Sequence, residues 1–171
     1  YNKENQFIFR YIKDKNIKSI IAPPDIDNKT IKEAVEIFKD DAILYSVWKK
    51  TKDHDHKVMI IDNVGMLTDL YQYADISIIG GGFGKSIHNI LEPACFGLPV
   101  LFGPNYHKFL EATEMIKSEG AVSFKTYDQL ESYLERFLNN KTIYKKASES
   151  NKKYIISSIG ASEKIIEKIT S

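Results

Sequence analysis

Apolar positions along the chain change period repeatedly. Phe7, Ile8, Tyr11 and Ile12 recur at helical spacing, and the run Ser19-Ile20-Ile21-Ala22 is then stopped by Pro23-Pro24. The first pattern predicts a helix over 5–15 and the second a short buried strand. Ile31, Ala34, Val35 and Phe38 restore the helical period over 30–39, with Asn28 as a cap, and 42–47 reads as another strand. After a polar stretch over 48–57, strand and helix alternate to the end. Strands are predicted at 58–61, 76–79, 100–102 and 121–124. Helices are predicted at 66–73, 89–96, 107–118, 127–138 and 142–169. Short continuous apolar strands between amphipathic helices predict an α/β class with a doubly wound parallel sheet covered on both faces. Ligands in such sheets sit beyond the carboxyl ends of the strands, so the loops after Ala22, Ile61, Ile79 and Phe102 are the ones to inspect.

Composition fits one domain over 1–171: 171 residues support a full core, and hydrophobic and charged fractions of 43% and 27% are those of an ordinary globular protein. Charge then narrows the partners. With 24 basic and 23 acidic residues, a net charge of +1 gives no field for binding nucleic acid, so none is expected as a partner. Cys95 is the only cysteine and lies in an apolar segment, which excludes a disulfide framework and suits a reducing, cytoplasmic setting. No apolar run is long enough to span a bilayer, so these residues are expected to be soluble. The chain starts at Tyr1 and its first pattern is a helix with no strand before it. The expectation is N-terminal truncation, with an upstream domain and any membrane association outside this sequence.

Two clusters offer chemistry. His54 and His56 sit in the polar stretch at a spacing that matches no standard ligand pattern, and no cysteine accompanies them, so a solvated loop without metal is expected. Gly80-Gly81-Gly82-Phe83-Gly84-Lys85-Ser86 is more informative, because it follows a strand and precedes a helix. Glycines there allow close approach to the backbone, and amides at a helix start favour an anion such as phosphate. A P-loop would need glycine where Ile79 stands, and a dinucleotide fingerprint would need glycine where Lys85 stands, so both motifs fail. His88-Asn89-Ile90-Leu91-Glu92-Pro93 follows. Pro93 belongs to a first helical turn, which places Glu92 there and sets His88 and Glu92 on one face. A carboxylate in that position repels phosphate but accepts hydrogen bonds from a ribose diol, the division of labour a nucleotide sugar requires.

These residues resemble a known family. Asp62-Asn63-Val64-Gly65-Met66-Leu67, Leu70-Tyr71, Ala74-Asp75, the three glycines, His88 to Pro93, Gly97-Leu98-Pro99-Val100 and Gly103-Pro104-Asn105 with Phe109 look like the C-terminal domain of 3-deoxy-D-manno-octulosonic acid (Kdo) transferase. The resemblance implies the C-terminal half of a GT-B fold, a Rossmann-like domain that binds CMP-Kdo. It implies transfer of Kdo to a lipid A precursor in lipopolysaccharide assembly, at the cytoplasmic side of the inner membrane. No metal or cofactor is implied. Donor contacts carry over to Pro23, Pro24, Val64, Gly65, Met66, Asn89, Ile90, Leu91 and Glu92. Gly81, Gly82 and Lys85 are expected at the phosphate, Glu92 at the ribose, and His88 and Asn89 at the Kdo moiety or the loop.

Two positions depart from the family pattern. A basic residue often follows the proline of the first loop, where this chain has Pro24 and Asp25, and Lys85 is the expected substitute. The second loop usually reads Gly-Glu-Leu, and here Met66 replaces the glutamate. The catalytic base belongs to the family's N-terminal domain, which also holds the lipid acceptor, so this chain should bind donor without turning it over. Two other readings stay open. One is a UDP-sugar-using GT-B enzyme, either a glycosyltransferase or a 2-epimerase; the other is a non-catalytic flavodoxin-like interaction domain whose glycines are structural.

Overall fold

The structure is a computed structural model that describes residues 3–23 and 28–170, without the side chains of 28 and 159–170. It divides into two compact units, Tyr1–Asp69 and Leu70–Ser171. In the first unit, α1 (Lys3–Lys15), β1 (Ser19–Ile21), α2 (Asn28–Phe38), β2 (Ala42–Leu44), α3 (Tyr45–Thr51) and β3 (Val58–Ile60) follow one another, and α4 (Leu67–Leu70) crosses the boundary. In the second unit a 3-10 turn (Tyr71–Tyr73) precedes β4 (Ser77–Ile79), α5 (Leu91–Cys95), β5 (Val100–Phe102), α6 (Leu110–Lys117), β6 (Ala121–Ser123), α7 (Tyr127–Asn139) and α8 (Lys141–Thr170).

Each unit holds a three-stranded parallel sheet, ordered β1-β3-β2 in the first and β4-β5-β6 in the second. The α/β class and the parallel pairing agree with the sequence pattern, whereas the strands hydrogen-bond as two sheets. Registers run Ile20↔Met59 and Ile43↔Met59 in one sheet, and Ile78↔Leu101 and Leu101↔Val122 in the other. Central strand β5 is buried at all three positions, as a continuous apolar run in mid-sheet must be.

The first core joins Phe9 and Ile12 of α1, Ala34 and Phe38 of α2, and Val58 and Ile60 of β3, with the Phe9 and Phe38 rings edge-on at 5.5 Å. The second gathers Ile79, Val100, Phe102, Ala121, Ala112 and Met115 with Ile87, Ile90 and Ala94, so the segment after β4 is pinned into the core at both Ile87 and Ile90. Helix α8 packs against α5, α6 and α7. Its Asn151 is fully buried, and the amide nitrogen donates to the carbonyls of Leu98 (2.6 Å) and Gly120 (2.8 Å). The space that a Cβ on Gly120 would need is filled by the Asn151 side-chain oxygen.

Three predicted elements come out differently. The expected strand over 42–47 ends at Leu44, and Tyr45 to Thr51 form α3, although the polar stretch was read as loop from Trp48 on. A long-range cap explains the helix: the Asp62 carboxylate accepts from the backbone N–H (3.0 Å) and the hydroxyl of Ser46, satisfying donors that the first turn cannot pair internally. The helix expected over 66–73 is one short turn of α4 and then the 3-10 turn. The helix expected from Asn89 starts at Leu91. Cys95, placed in an apolar segment from sequence, is exposed.

Among the described residues, no helix is long and apolar enough to cross a membrane, and no group of three or more His, Cys, Asp or Glu is placed to hold a metal ion. His56 is engaged by the Asp40 carbonyl at 2.9 Å and the Asp53 carboxylate at 3.2 Å, and His54 is exposed.

Candidate functional site: the loop between β4 and α5

The loop leaves the carboxyl end of β4 and is shaped by its glycines. Gly81 has φ of +90°, which an L side chain rarely adopts, and the His88 ring lies against its Cα, where a Cβ would sit 3.2 Å from Nε2. Gly82 is packed against Gly103, so a Cβ on Gly82 would meet the Gly103 Cα at 2.6 Å. The Gly84 N–H donates to the Gly81 carbonyl (2.9 Å), closing a turn, and the His88 N–H donates to the Gly80 carbonyl (3.0 Å). Asn105, from the loop after β5, donates twice: its backbone N–H to the Gly82 carbonyl (2.9 Å) and its side-chain amide to the Gly84 carbonyl (2.7 Å). Lys85 is exposed.

Asn89 and Glu92 meet at the start of α5. The Asn89 side-chain oxygen accepts from the Leu91 N–H (2.9 Å), and its amide donates to a Glu92 carboxylate oxygen (2.8 Å). Asn three residues before Glu is a capping-box spacing, so this pairing had a signal in the sequence. The expected amide-rich helix tip is therefore absent. Asn89 takes the Leu91 N–H, Pro93 has none, and α5 is only five residues long, so the first turn has at most the Glu92 N–H to offer a ligand. His88 lies ahead of the helix, so His88 and Glu92 do not share a helical face; the imidazole faces Gly81 instead.

Glu92 is half-buried and has a neighbour that sequence reasoning did not assign to the site. Tyr71 is 7% exposed, and its hydroxyl pKa is pushed up to about 12, first by burial and then by the Glu92 charge. Ile90, 2% exposed, gives its side chain to the core, and Leu91 packs against the same cluster. The exposed polar groups of this segment are thus Lys85, His88 and Asn89, of which Asn89 bonds the half-buried Glu92.

The other expected contacts belong to the first unit. Pro23 is half-buried beyond β1, and Pro24 lies outside the described residues. Val64 is 80% exposed, Gly65 has φ of +87° with open space where a Cβ would be, and the Asn63 amide lies 3.1 Å from the Met66 sulfur. This loop is thus exposed at Val64 and Gly65 and held in a turn that favours glycine.

No protein-family model matches the chain. Sequence relatives are nevertheless clear. The chain is 34% identical over 110 residues to 3-deoxy-D-manno-octulosonic acid transferase of Chlamydophila psittaci, covering 63% of this chain and 25% of that protein. It is 33% identical over 117 residues to the transferase of the same name from Aquifex aeolicus, covering 62% of this chain and 29% of that protein. Its relatives are Kdo transferases. Matched segments thus span under a third of the transferases' length. A solved structure, the C-terminal CMP-Kdo binding domain of WaaA from Acinetobacter baumannii, superposes with a TM-score of 0.75 at 19% identity, over 91% of this chain and 84% of that domain. The fold is accordingly the Rossmann-like C-terminal half of the GT-B architecture, as the sequence resemblance to Kdo transferases implied.

Proposed function

We propose that the chain is the donor-binding part of a glycosyltransferase that moves Kdo from CMP-Kdo to a lipid A precursor. The observation that carries this is the Glu92 carboxylate, steadied by Asn89 behind a glycine loop, on a chain related to Kdo transferases. A carboxylate has lone pairs for about four hydrogen bonds, the acceptor chemistry that a ribose diol calls for, and the bond from Asn89 orients this one. Phosphate charge is met by loop amides and by Lys85, and the reading calls for no metal or other cofactor. When the bond to Kdo breaks, those same donors stabilise the charge growing on the departing CMP. The base that activates the acceptor hydroxyl lies in a separate N-terminal domain, which also carries the lipid acceptor at the cytoplasmic side of the inner membrane. The chain by itself binds donor without catalysing transfer.

Isothermal titration with CMP, and with UMP and UDP for comparison, tests this. The chain binds CMP in preference, and Glu92→Ala weakens binding by roughly tenfold or more, the worth of a hydrogen bond to a charged group. No binding by the chain, or equal binding by the variant, refutes the assignment. Preference for UDP moves the chain to the UDP-sugar-using enzymes of the same fold.

A further inference from the structure

We propose that Tyr71 is a positioning residue for Glu92, its ring walling the face of α5 on which the carboxylate stands and so sharpening the preference for a ribose over a deoxyribose. This rests on the reading above that Glu92 receives the ribose diol. Glu92 and Phe96 are four positions apart, and the helical backbone persists through Phe96, whose φ and ψ are −82° and −3°. Residues at that spacing stand one above the other on a single helix face. Tyr71, from the turn before β4, lies along this face. Its ring tilts against that of Phe96, 6.0 Å between centroids, and its hydroxyl is close enough to Glu92 to feel the carboxylate's charge. All three residues belong to the second unit.

A carboxylate on a flexible stem needs more than one restraint to keep its aim. Asn89 ties one oxygen at 2.8 Å, which still lets the group pivot about that bond. Tyr71 supplies the second restraint. It is 7% exposed and cannot yield, so it denies Glu92 the rotamers that would cross its ring. A ring beside the carboxylate also displaces water, and hydrogen bonds in such low-dielectric surroundings are stronger and more costly to leave unmade. A site of this kind penalises a ligand that lacks one of the two hydroxyls, because an oriented acceptor is then left unpaired. Tyr71 acts here only through Glu92, without touching the ligand.

Calorimetric titration of the 171-residue chain with CMP and with 2′-deoxy-CMP reads this directly. The unsubstituted chain binds CMP about tenfold or more tighter than 2′-deoxy-CMP, the worth of a hydrogen bond to a charged group. Tyr71→Leu removes the wall: CMP binding falls while 2′-deoxy-CMP binding is kept, and the gap closes to about twofold. Tyr71→Phe restores the ring and the gap with it. Phe96→Leu unseats Tyr71 from a position that is 38% exposed, so it spares the core, and it narrows the gap to about threefold. Any loss of folded chain weakens both ligands by the same factor, so the ratio reports the aim of Glu92 and not stability. In a Glu92→Ala background the gap is already gone, and Tyr71→Leu changes the ratio no further.

A full gap in both Tyr71→Leu and Phe96→Leu overturns the proposal and leaves the ribose reading of Glu92 standing. So does a fall of CMP and 2′-deoxy-CMP affinity by equal factors, which is what a merely structural tyrosine would give, or a change of ratio by Tyr71→Leu that persists without Glu92. An unsubstituted chain that binds neither nucleotide, or binds both alike, removes the ribose reading itself and the role of Tyr71 with it.

Discussion

Replacing Gly103 by alanine tests whether the β4 and β5 loops truly meet through bare backbone. The new Cβ would lie 2.6 Å from the Gly82 carbonyl carbon, 2.7 Å from Phe83 Cδ2 and 2.9 Å from the Gly82 Cα. Ordinary carbon contact begins near 3.4–3.5 Å, so the glycine loop must retreat by about 0.8 Å. Two of the three obstacles are backbone atoms. The third cannot swing aside cheaply, because the Phe83 ring packs at a tilt, 5.5 Å between centroids, against Phe124, which is fully buried. Overpacking of this kind costs about 1–3 kcal/mol. For a unit near 100 residues that lowers the melting temperature by about 5–20 °C. A displacement of this size also misaligns the loop amides, so CMP affinity drops by about tenfold or more.

The control is Gly84→Ala in the same loop, where the nearest atom to a new Cβ is the Gly81 carbonyl oxygen at 3.4 Å and φ is not positive. Thermal denaturation and calorimetric titration of both variants decide the matter: Gly103→Ala is impaired in both and Gly84→Ala in neither. Equal melting of Gly103→Ala and the unsubstituted chain, or an equal loss in Gly84→Ala, refutes the packing argument.

Two further outcomes follow from buried groups. Asn151→Ala strips the Leu98 carbonyl of its side-chain donor and leaves a void, which destabilises the second unit by about 2–4 kcal/mol. Asn151→Asp, of nearly equal size, aims carboxylate oxygens at two carbonyls and is worse at neutral pH, recovering on acidification; urea denaturation at two pH values reads the difference, and an aspartate variant as stable as the unsubstituted chain would contradict it. Tyr71 stays protonated in the folded chain up to about pH 12 while an unfolded phenol ionises near 10. Stability tied to Tyr71 is thus complete below about pH 10 and lost as pH rises toward 12, by about 2 kcal/mol, and Tyr71→Phe has a flatter stability profile over that range. Identical profiles for the two proteins would show that the phenol is not held in this way.

What the sequence revealed was mostly local. Val100-Leu101-Phe102 announced a strand because all three residues are apolar, and 127–138 announced a helix because its apolar positions repeat with the helical period; the Thr126 cap, which accepts from the Gln129 N–H at 3.3 Å, came only with the structure. Gly81 and Gly82 were read as room for a ligand, whereas the structure gives Gly81 a φ of +90° and packs Gly82 against Gly103. Features set by long-range partners were not legible. Helix α3 depends on a carboxylate 16 residues downstream, so a reading by local polarity stops at Trp48. Tyr71 joins Glu92 only through folding, and a tyrosine in a short apolar pattern looks like any core residue. Asn105 stood among the residues that carried the resemblance, but nothing in its neighbours foretold that it would hold a loop more than twenty positions earlier. Asn89 is the instructive case: the spacing to Glu92 was visible, and read as a helical start it hid the fact that the asparagine side chain itself takes up the amide expected to serve a ligand.

Asn151 also carries a consequence for the order of events during synthesis. Its amide bridges Leu98 and Gly120, 53 and 31 positions earlier, so both turns wait for a residue that leaves the ribosome long after they do. A second unit that lacks α8 lacks the amide that bonds the Leu98 and Gly120 carbonyls and fills the space at Gly120, so it is expected to close only once α8 is made. Shortened chains ending before 151 should therefore accumulate as chaperone clients, while those ending just beyond the helix's packed stretch should close into the mature form.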